Sequence, residues 1–290
     1  MPIKPQPRPL FDDHLFSTTV GVDLGGTKLL IRYRDQWVRR ETGVGFGIAE
    51  LTRALREFLD DQSEPPASLG IAVPGLVESG MTVAACDVLP RLVGWNAEQA
   101  LDGRVARCSL VNDAKAALHA TTFDLPPGST AITVMVGTAV GCGIMVDGSP
   151  LRGASGWAGE LGYWPVRAGA QWARLDEVAG GGYIAARLGI DGQQLACRVA
   201  QGDPAALALV EQGGQALGGA LAGALNLLNP HQLSVGGGTL RLDGYWSAAL
   251  AVFQAQSLPA MLSACKVRRV DDIKDLVAIG AARMAQEGTR

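Results

Sequence analysis

From Thr19 the chain runs VGVDLGG, TKLLIRYR, a DQ turn and WVRRE, and from Ala131 the same order returns as ITVMVG, TAVG, CGIMV, a DG turn and SPLRG. Apolar runs of strand length, broken by Gly-rich and Asp-containing turns, predict strand–turn–strand–turn–strand hairpins in both places. The two copies begin about 110 residues apart, so the chain is expected to be internally duplicated. Both glycine-rich turns lie between two strands. A P-loop or a dinucleotide fingerprint places its glycines between a strand and a helix, so those two nucleotide folds are disfavoured.

Helical signals fall between the modules: IAELTRALREFLDD, AKAALHATTF after Asp113, and EQGGQALGGALAGALNLLN, stopped by Pro230. They alternate with the strand-like runs SLGIAV, ARCSLV and QLSV, which predicts α/β lobes. A last amphipathic helix is expected from Ile273 to about Gln286. With 290 residues the chain is long enough for two joined lobes and the cleft they imply.

Lys and Arg number 25 against 28 Asp and Glu, a formal charge of -3, and no basic run tracks a phosphate backbone. Nucleic acid is not expected as a partner. The Pro-rich start MPIKPQPRPLFDDHLF lacks the apolar core of roughly 7–15 residues that a secretory signal needs, so a cytoplasmic protein is expected. Cysteines at 86, 108, 142, 197 and 265 have no CxxC spacing, which argues against a disulfide framework and a closed zinc site. The uncharged stretch 126–146 is broken by Gly and rich in β-branched residues, so it is expected as two strands and not as a membrane span.

Asp23 ends a strand beside Gly25-Gly26-Thr27-Lys28, a turn whose amides could face a phosphate. Asp23 would then hold Mg²⁺ through water, and Lys28 would add positive charge. Gly137-Thr138-Ala139-Val140-Gly141-Cys142-Gly143 is the matching turn of the second copy, and Gly236-Gly237-Gly238 would let a base or ribose approach the backbone. Taken alone, each of these turns also fits an ordinary hairpin or loop. Asn112-Asp113 ends CSLV and precedes a helix, where Asp113 is either an N-cap, worth about 1 kcal/mol, or a general base with Asn112 as a sugar partner. Glu160, set among glycines, is either a solvated loop acid or a carboxylate accepting two sugar hydroxyls.

In order, DLGGTK, VPG, GW, VNDA, GTxxGxG, GExG and GGG make the chain resemble the sugar kinases of the ROK family from about Val20 onward. The resemblance implies a two-lobed actin-like ATPase fold, ribonuclease H-like, with duplicated hairpin phosphate loops and sugar bound between the lobes. After the Pro-rich start, read from its composition as a disordered or draped extension (1–18), it divides the chain into a smaller lobe (19–113 with 272–290) and a larger one (114–271). It assigns Asp113 as base, Asn112 and Glu160 as sugar ligands, Gly75 as a backbone neighbour of the sugar, and ATP with Mg²⁺ at the two loops. A homodimer is also implied.

The chain departs from the family pattern at several points. Tyr163 stands where His usually follows GExG, and no CxCGxxGCxE motif is present, so structural zinc is not expected. Asp176 replaces a longer carboxylate as a substrate contact, Val88 or Asp87 stands at a usual Asn, and Ala139 and Cys142 replace loop glycines. The expected activity is phosphorylation of a hexose or N-acetylhexosamine at the 6-hydroxyl. The alternatives are a non-catalytic sugar-binding or regulatory protein and a kinase of an unusual polyol. A DNA-binding repressor is disfavoured, because only 18 residues precede the first strand.

Overall fold

The computed structural model describes residues 14–43, 45–78, 81–270 and 275–287. Of the disordered or draped extension expected at 1–18, residues 1–13 lie outside these. Contacts divide the chain into two units. The described residues of the first are 14–43, 45–78, 81–124, 152–158 and 275–287, and those of the second are 125–151 and 159–270.

In the first unit, the strands are β1 (Thr19–Leu24), β2 (Lys28–Tyr33), β3 (Gln36–Glu41), β4 (Ser68–Val73), β5 (Leu76–Glu78), β6 (Thr82–Ala85) and β7 (Arg107–Asn112). Five of them form one sheet in the order β3-β2-β1-β4-β7, while β5 and β6 pair separately. The hairpin β1-β2-β3 is antiparallel, and β4 and β7 run parallel to β1. All six residues of β4 are buried, as a continuous apolar run in a central parallel strand requires. The charged β3 closes the edge. The β2–β3 turn falls at Arg34-Asp35, one residue before the expected DQ pair, because Arg34 takes the left-handed conformation (φ 51°).

Helix Ile48–Asp60 buries Leu51, Ala54, Leu55, Phe58 and Leu59, one face at helical spacing. Residues Leu15–Thr18 form one helical turn that buries Leu15 and Phe16.

The second unit repeats the arrangement. Its strands are β8 (Ala131–Val136), β9 (Val140–Val146), β10 (Ser149–Pro150), β11 (Pro165–Ala168), β12 (Gln171–Arg174), β13 (Gln232–Gly236) and β14 (Lys266–Arg269). The sheet order is β10-β9-β8-β13-β14, again an antiparallel hairpin followed by two parallel strands. This duplicated order is the α/β actin-like ATPase fold. The uncharged stretch before Val146 is the hairpin β8–β9, and no helix among the described residues is long and apolar enough to cross a membrane.

The small-residue helix starts earlier than its glycines suggest, at Pro204, where Asp203 caps the Ala205 and Ala206 amides, and it ends at Leu228 before a left-handed Asn229. Its glycines let it meet helix Tyr245–Gln256 backbone to backbone; a Cβ on Gly218 would lie 2.2 Å from the Ala249 carbonyl.

The last helix, Leu276–Glu287, packs on the first unit's sheet, and the expected start at Ile273 lies outside the described residues. Cβ atoms on Gly21, Gly70 and Gly280 would fall 2.4, 1.9 and 1.7 Å from the carbonyls of Ala278, Ala281 and Ala116. Backbone cannot yield as a flexible side chain can. Gly280→Ala is therefore expected to destabilise the protein by at least about 1–3 kcal/mol, the usual range for overpacking. Thermal unfolding reads this as a midpoint lower by several degrees; an unchanged midpoint would show that the helix shifts freely.

Candidate functional site

The carboxyl ends of the parallel strands of an α/β sheet are the usual place for ligands. In the first unit these ends carry the candidates. β1 ends at Asp23-Leu24 and turns through Gly25-Gly26-Thr27 into β2, with the Gly25 amide donating to the Lys28 carbonyl at 2.8 Å. Thr42, just past β3, braces the turn: its hydroxyl donates to the Gly25 carbonyl at 2.7 Å and its amide to the Thr27 carbonyl at 3.1 Å. Asp23 is held above the usual carboxylate range, chiefly by burial; Lys28 opposes this and Asp275 adds to it. A desolvated carboxylate gains from a nearby cation, and its hard oxygen donors fit a hydrated Mg²⁺.

β4 ends at the Val73-Pro74-Gly75 turn and β7 at Asn112. The structure places Asn112, not Asp113, at the N-cap. Asn112 is extended (φ -67°, ψ 145°), and its Oδ1 accepts the Ala114 and Lys115 amides at 3.0 and 3.4 Å. Its Nδ2 donates to the Gly75 carbonyl at 3.1 Å, which joins the turn after β4 to the helix start. Asp113 is the first helical residue, half-buried, with Oδ1 accepting the Ala114 amide at 2.7 Å.

Gly75 lies against Cys86, whose thiol donates to the Pro74 carbonyl and accepts the Leu89 amide. Burial, and to a smaller extent the charge of Asp113, raises the pKa of that thiol. Val88 packs on the first turn, because a Cβ on Gly26 would fall 2.4 Å from its Cγ1, while Asp87 is exposed.

In the second unit the turn between β8 and β9 is Gly137-Thr138-Ala139. The Gly137 carbonyl accepts the Thr239 hydroxyl at 2.9 Å and the Gly181 amide at 2.8 Å; the Thr138 carbonyl accepts the Gly182 amide at 3.1 Å. Gly141 and Gly143 follow in β9, where Cys142 is buried and its thiol is pushed up to about 12, first by burial and then by Glu160. Gly236 is buried under Val270 and Met135, and Gly237 (φ 106°) lies against the Val136 backbone. Of the three, Gly238 alone is exposed.

Glu160 is exposed and precedes the 3₁₀ turn Leu161–Tyr163. Tyr163 is 55% exposed, with the Arg174 guanidinium 4.8 Å over its ring and Glu177 paired to Arg174 at 3.3 Å. Asp176 is buried at 8% exposure and accepts the Val140 amide at 2.6 Å.

An actin-like fold with two braced glycine turns and acids at its strand ends defines a class of phosphate-handling proteins. The chain belongs to the ROK family, whose model matches residues 19–287. It is 29% identical to the N-acetylmannosamine kinase of Salmonella typhimurium over 94% of this chain and 99% of that protein. Among solved structures it is similar to a ROK hexokinase from Thermus thermophilus (TM-score 0.77, 25% identity, 93% of this chain and 98% of that one). It also resembles a ROK glucokinase from Streptomyces griseus in complex with glucose and AMPPNP (TM-score 0.72, 21% identity, 93% and 99%).

Thr42, Thr239, Cys86 and Asp275 bear on these sites and were not singled out from the sequence. The two threonines reach their turns only through folding, Thr42 lying 17 residues from Gly25 and Thr239 102 residues from Gly137. Asp275 likewise bears on Asp23 only through folding.

Replacing Asn112 by Ala removes the cap and frees the Gly75 carbonyl. Urea unfolding should show a loss of about 0.5–2 kcal/mol, the range for N-cap removal; no loss would remove Asn112 from this role.

Proposed function

We propose that this protein is an ATP-dependent sugar kinase that phosphorylates the 6-hydroxyl of a hexose or N-acylated hexosamine, with Asp113 as general base. The observation that carries the reading is the position of Asp23 and Asp113 at the carboxyl ends of strands of one parallel set, with Asn112 tying the start of the Asp113 helix to the Gly75 turn. Near full-length similarity to an N-acetylmannosamine kinase supports the substrate class.

In the first unit, the Gly26 and Thr27 amides and the Lys28 ammonium receive the phosphates of ATP, while the Gly25 amide stays on the Lys28 carbonyl and shapes the turn. Asp23 would hold Mg²⁺ through water, and the cation supplies charge neutralisation to the phosphates when bound. Asp113 accepts the proton of the sugar hydroxyl as that oxygen attacks the γ-phosphorus and the bond from phosphorus to the β,γ-bridging oxygen breaks, releasing ADP; proton removal keeps the nucleophile from developing a full positive charge. Its seat at the first position of a capped helix gives it a rigid mount. An amide group carries two donors, so Asn112 keeps one Nδ2 hydrogen for a sugar hydroxyl while the other holds the Gly75 carbonyl.

In the second unit, Gly137, Thr138, Gly141 and Gly143 form the other phosphate loop. Gly238 is the exposed member of its run and offers the adenosine a surface with no Cβ. Glu160 accepts two vicinal sugar hydroxyls, a polar pairing that rejects analogues lacking either. Tyr163, stacked under Arg174, tunes which sugar is taken. That substitution also favours a second reading, a kinase of an unusual polyol or a non-catalytic sugar binder, in which the base would be dispensable.

Asp113→Asn keeps shape and removes the base, so kcat in a coupled ADP-release assay should fall by about 10²–10⁴, the usual worth of general-base catalysis, with an unchanged melting temperature. Retained turnover would remove Asp113 from the base role. Tyr163→His should change the ratio of kcat/KM between N-acetylhexosamines and hexoses, and an unchanged profile would end its specificity role.

A further inference from the structure

Asp176 sits in the first turn of helix Leu175–Ala179, and its carboxylate faces two segments at once. On one side it accepts the amide of Val140, the first residue of β9, directly after the Gly137–Ala139 turn. On the other side it fills the space over Gly162: a Cβ there would lie 2.4, 2.6 and 2.6 Å from Oδ1, Cγ and Oδ2. Gly162 belongs to the 3₁₀ turn that follows Glu160. A second contact joins the same segments, because a Cβ on Gly159 (φ 99°) would fall 2.4 Å from the Cys142 carbonyl in β9. Asp176 is thus buried between the loop read as phosphate-binding and the loop read as sugar-binding.

We infer that Asp176 is a positioning residue that couples the nucleotide loop to the sugar loop and does not itself contact the sugar. This rests on the sugar-kinase reading above. A hydrogen bond from an amide to a carboxylate is charge-assisted, and in a buried setting its loss leaves the Val140 N–H unpaired. Gly162 can approach the carboxylate only because it has no side chain. Motion of either loop is therefore transmitted through one rigid group. Ligand binding to one loop pre-orders the other, and such coupling must be reciprocal.

The test measures binding of Mg·AMPPNP by calorimetry to the full chain, with and without the sugar that the wild type phosphorylates. In the wild type each ligand should tighten the other several-fold. Asp176→Ala should weaken nucleotide binding several-fold even with sugar absent, and the coupling factor should fall toward one. Asp176→Asn retains an oxygen for Val140 and should keep most of the nucleotide affinity. Gly162→Ala inserts a methyl group against the carboxylate, so it should weaken nucleotide binding although it lies in the sugar loop; this variant keeps the proposal testable if Asp176→Ala does not fold. If Asp176→Ala lost sugar affinity alone, with nucleotide affinity and coupling intact, Asp176 would be a sugar ligand and the proposal would be overturned. A wild type that bound neither ligand would overturn the kinase reading and this one with it.

Discussion

The first unit depends on direct backbone contact between its last helix and its sheet. Helix Leu276–Glu287 approaches β1, β4 and helix Asp113–Thr122 so closely that Gly21, Gly70 and Gly280 have no room for a Cβ. Packing that dense leaves no soft side-chain layer to absorb displacement. β1, β4 and the helix carrying Asp113 are therefore fixed together by a helix from the opposite end of the chain. The second unit uses the same device, with Gly214 and Gly218 against the backbone of helix Tyr245–Gln256.

On this frame each unit carries a glycine turn held by a threonine. Thr42 binds the Gly25 carbonyl, and Thr239 binds the Gly137 carbonyl. The Gly25 and Gly137 amides are held as well, by the Lys28 and Ala139 carbonyls, so both turns are fixed by donors and acceptors of the protein itself. The acids are divided by environment. Asp23, desolvated and close to Asp275, is suited to a cation, whereas exposed Glu160 is suited to hydroxyls. Asp176 is turned inward to the backbone.

Much of the architecture was legible from local pattern. The hairpins at Thr19 and Ala131, the amphipathic period of Ile48–Asp60 and the buried run of β4 declare themselves in composition and spacing. The cap at the end of β7 was harder. Asn and Asp both cap well, and only the extended backbone of Asn112 decides between them. The start of the long helix at Pro204 was signalled by Asp203-Pro204 but obscured by the glycines beyond Glu211. Val88 on Gly26, Asp176 under Gly162 and the influence of the Asp275 charge on Asp23 arise between residues apart in sequence, and no spacing rule reaches them. For Asp176 the family pattern itself pointed elsewhere, to the sugar. Its Oδ1 accepts the Val140 amide, a contact that the family pattern does not announce.

The central claim is that these parts transfer a phosphoryl group from ATP to a sugar. The most direct measurement is the stoichiometry of wild-type turnover on hexoses and N-acetylhexosamines with MgATP, with ADP and sugar phosphate quantified together and the phosphorylated carbon located by NMR. The account predicts one ADP for each sugar 6-phosphate on at least one sugar of the panel. Sugar binding with no ADP formed, or ADP formed without sugar phosphate, would contradict it.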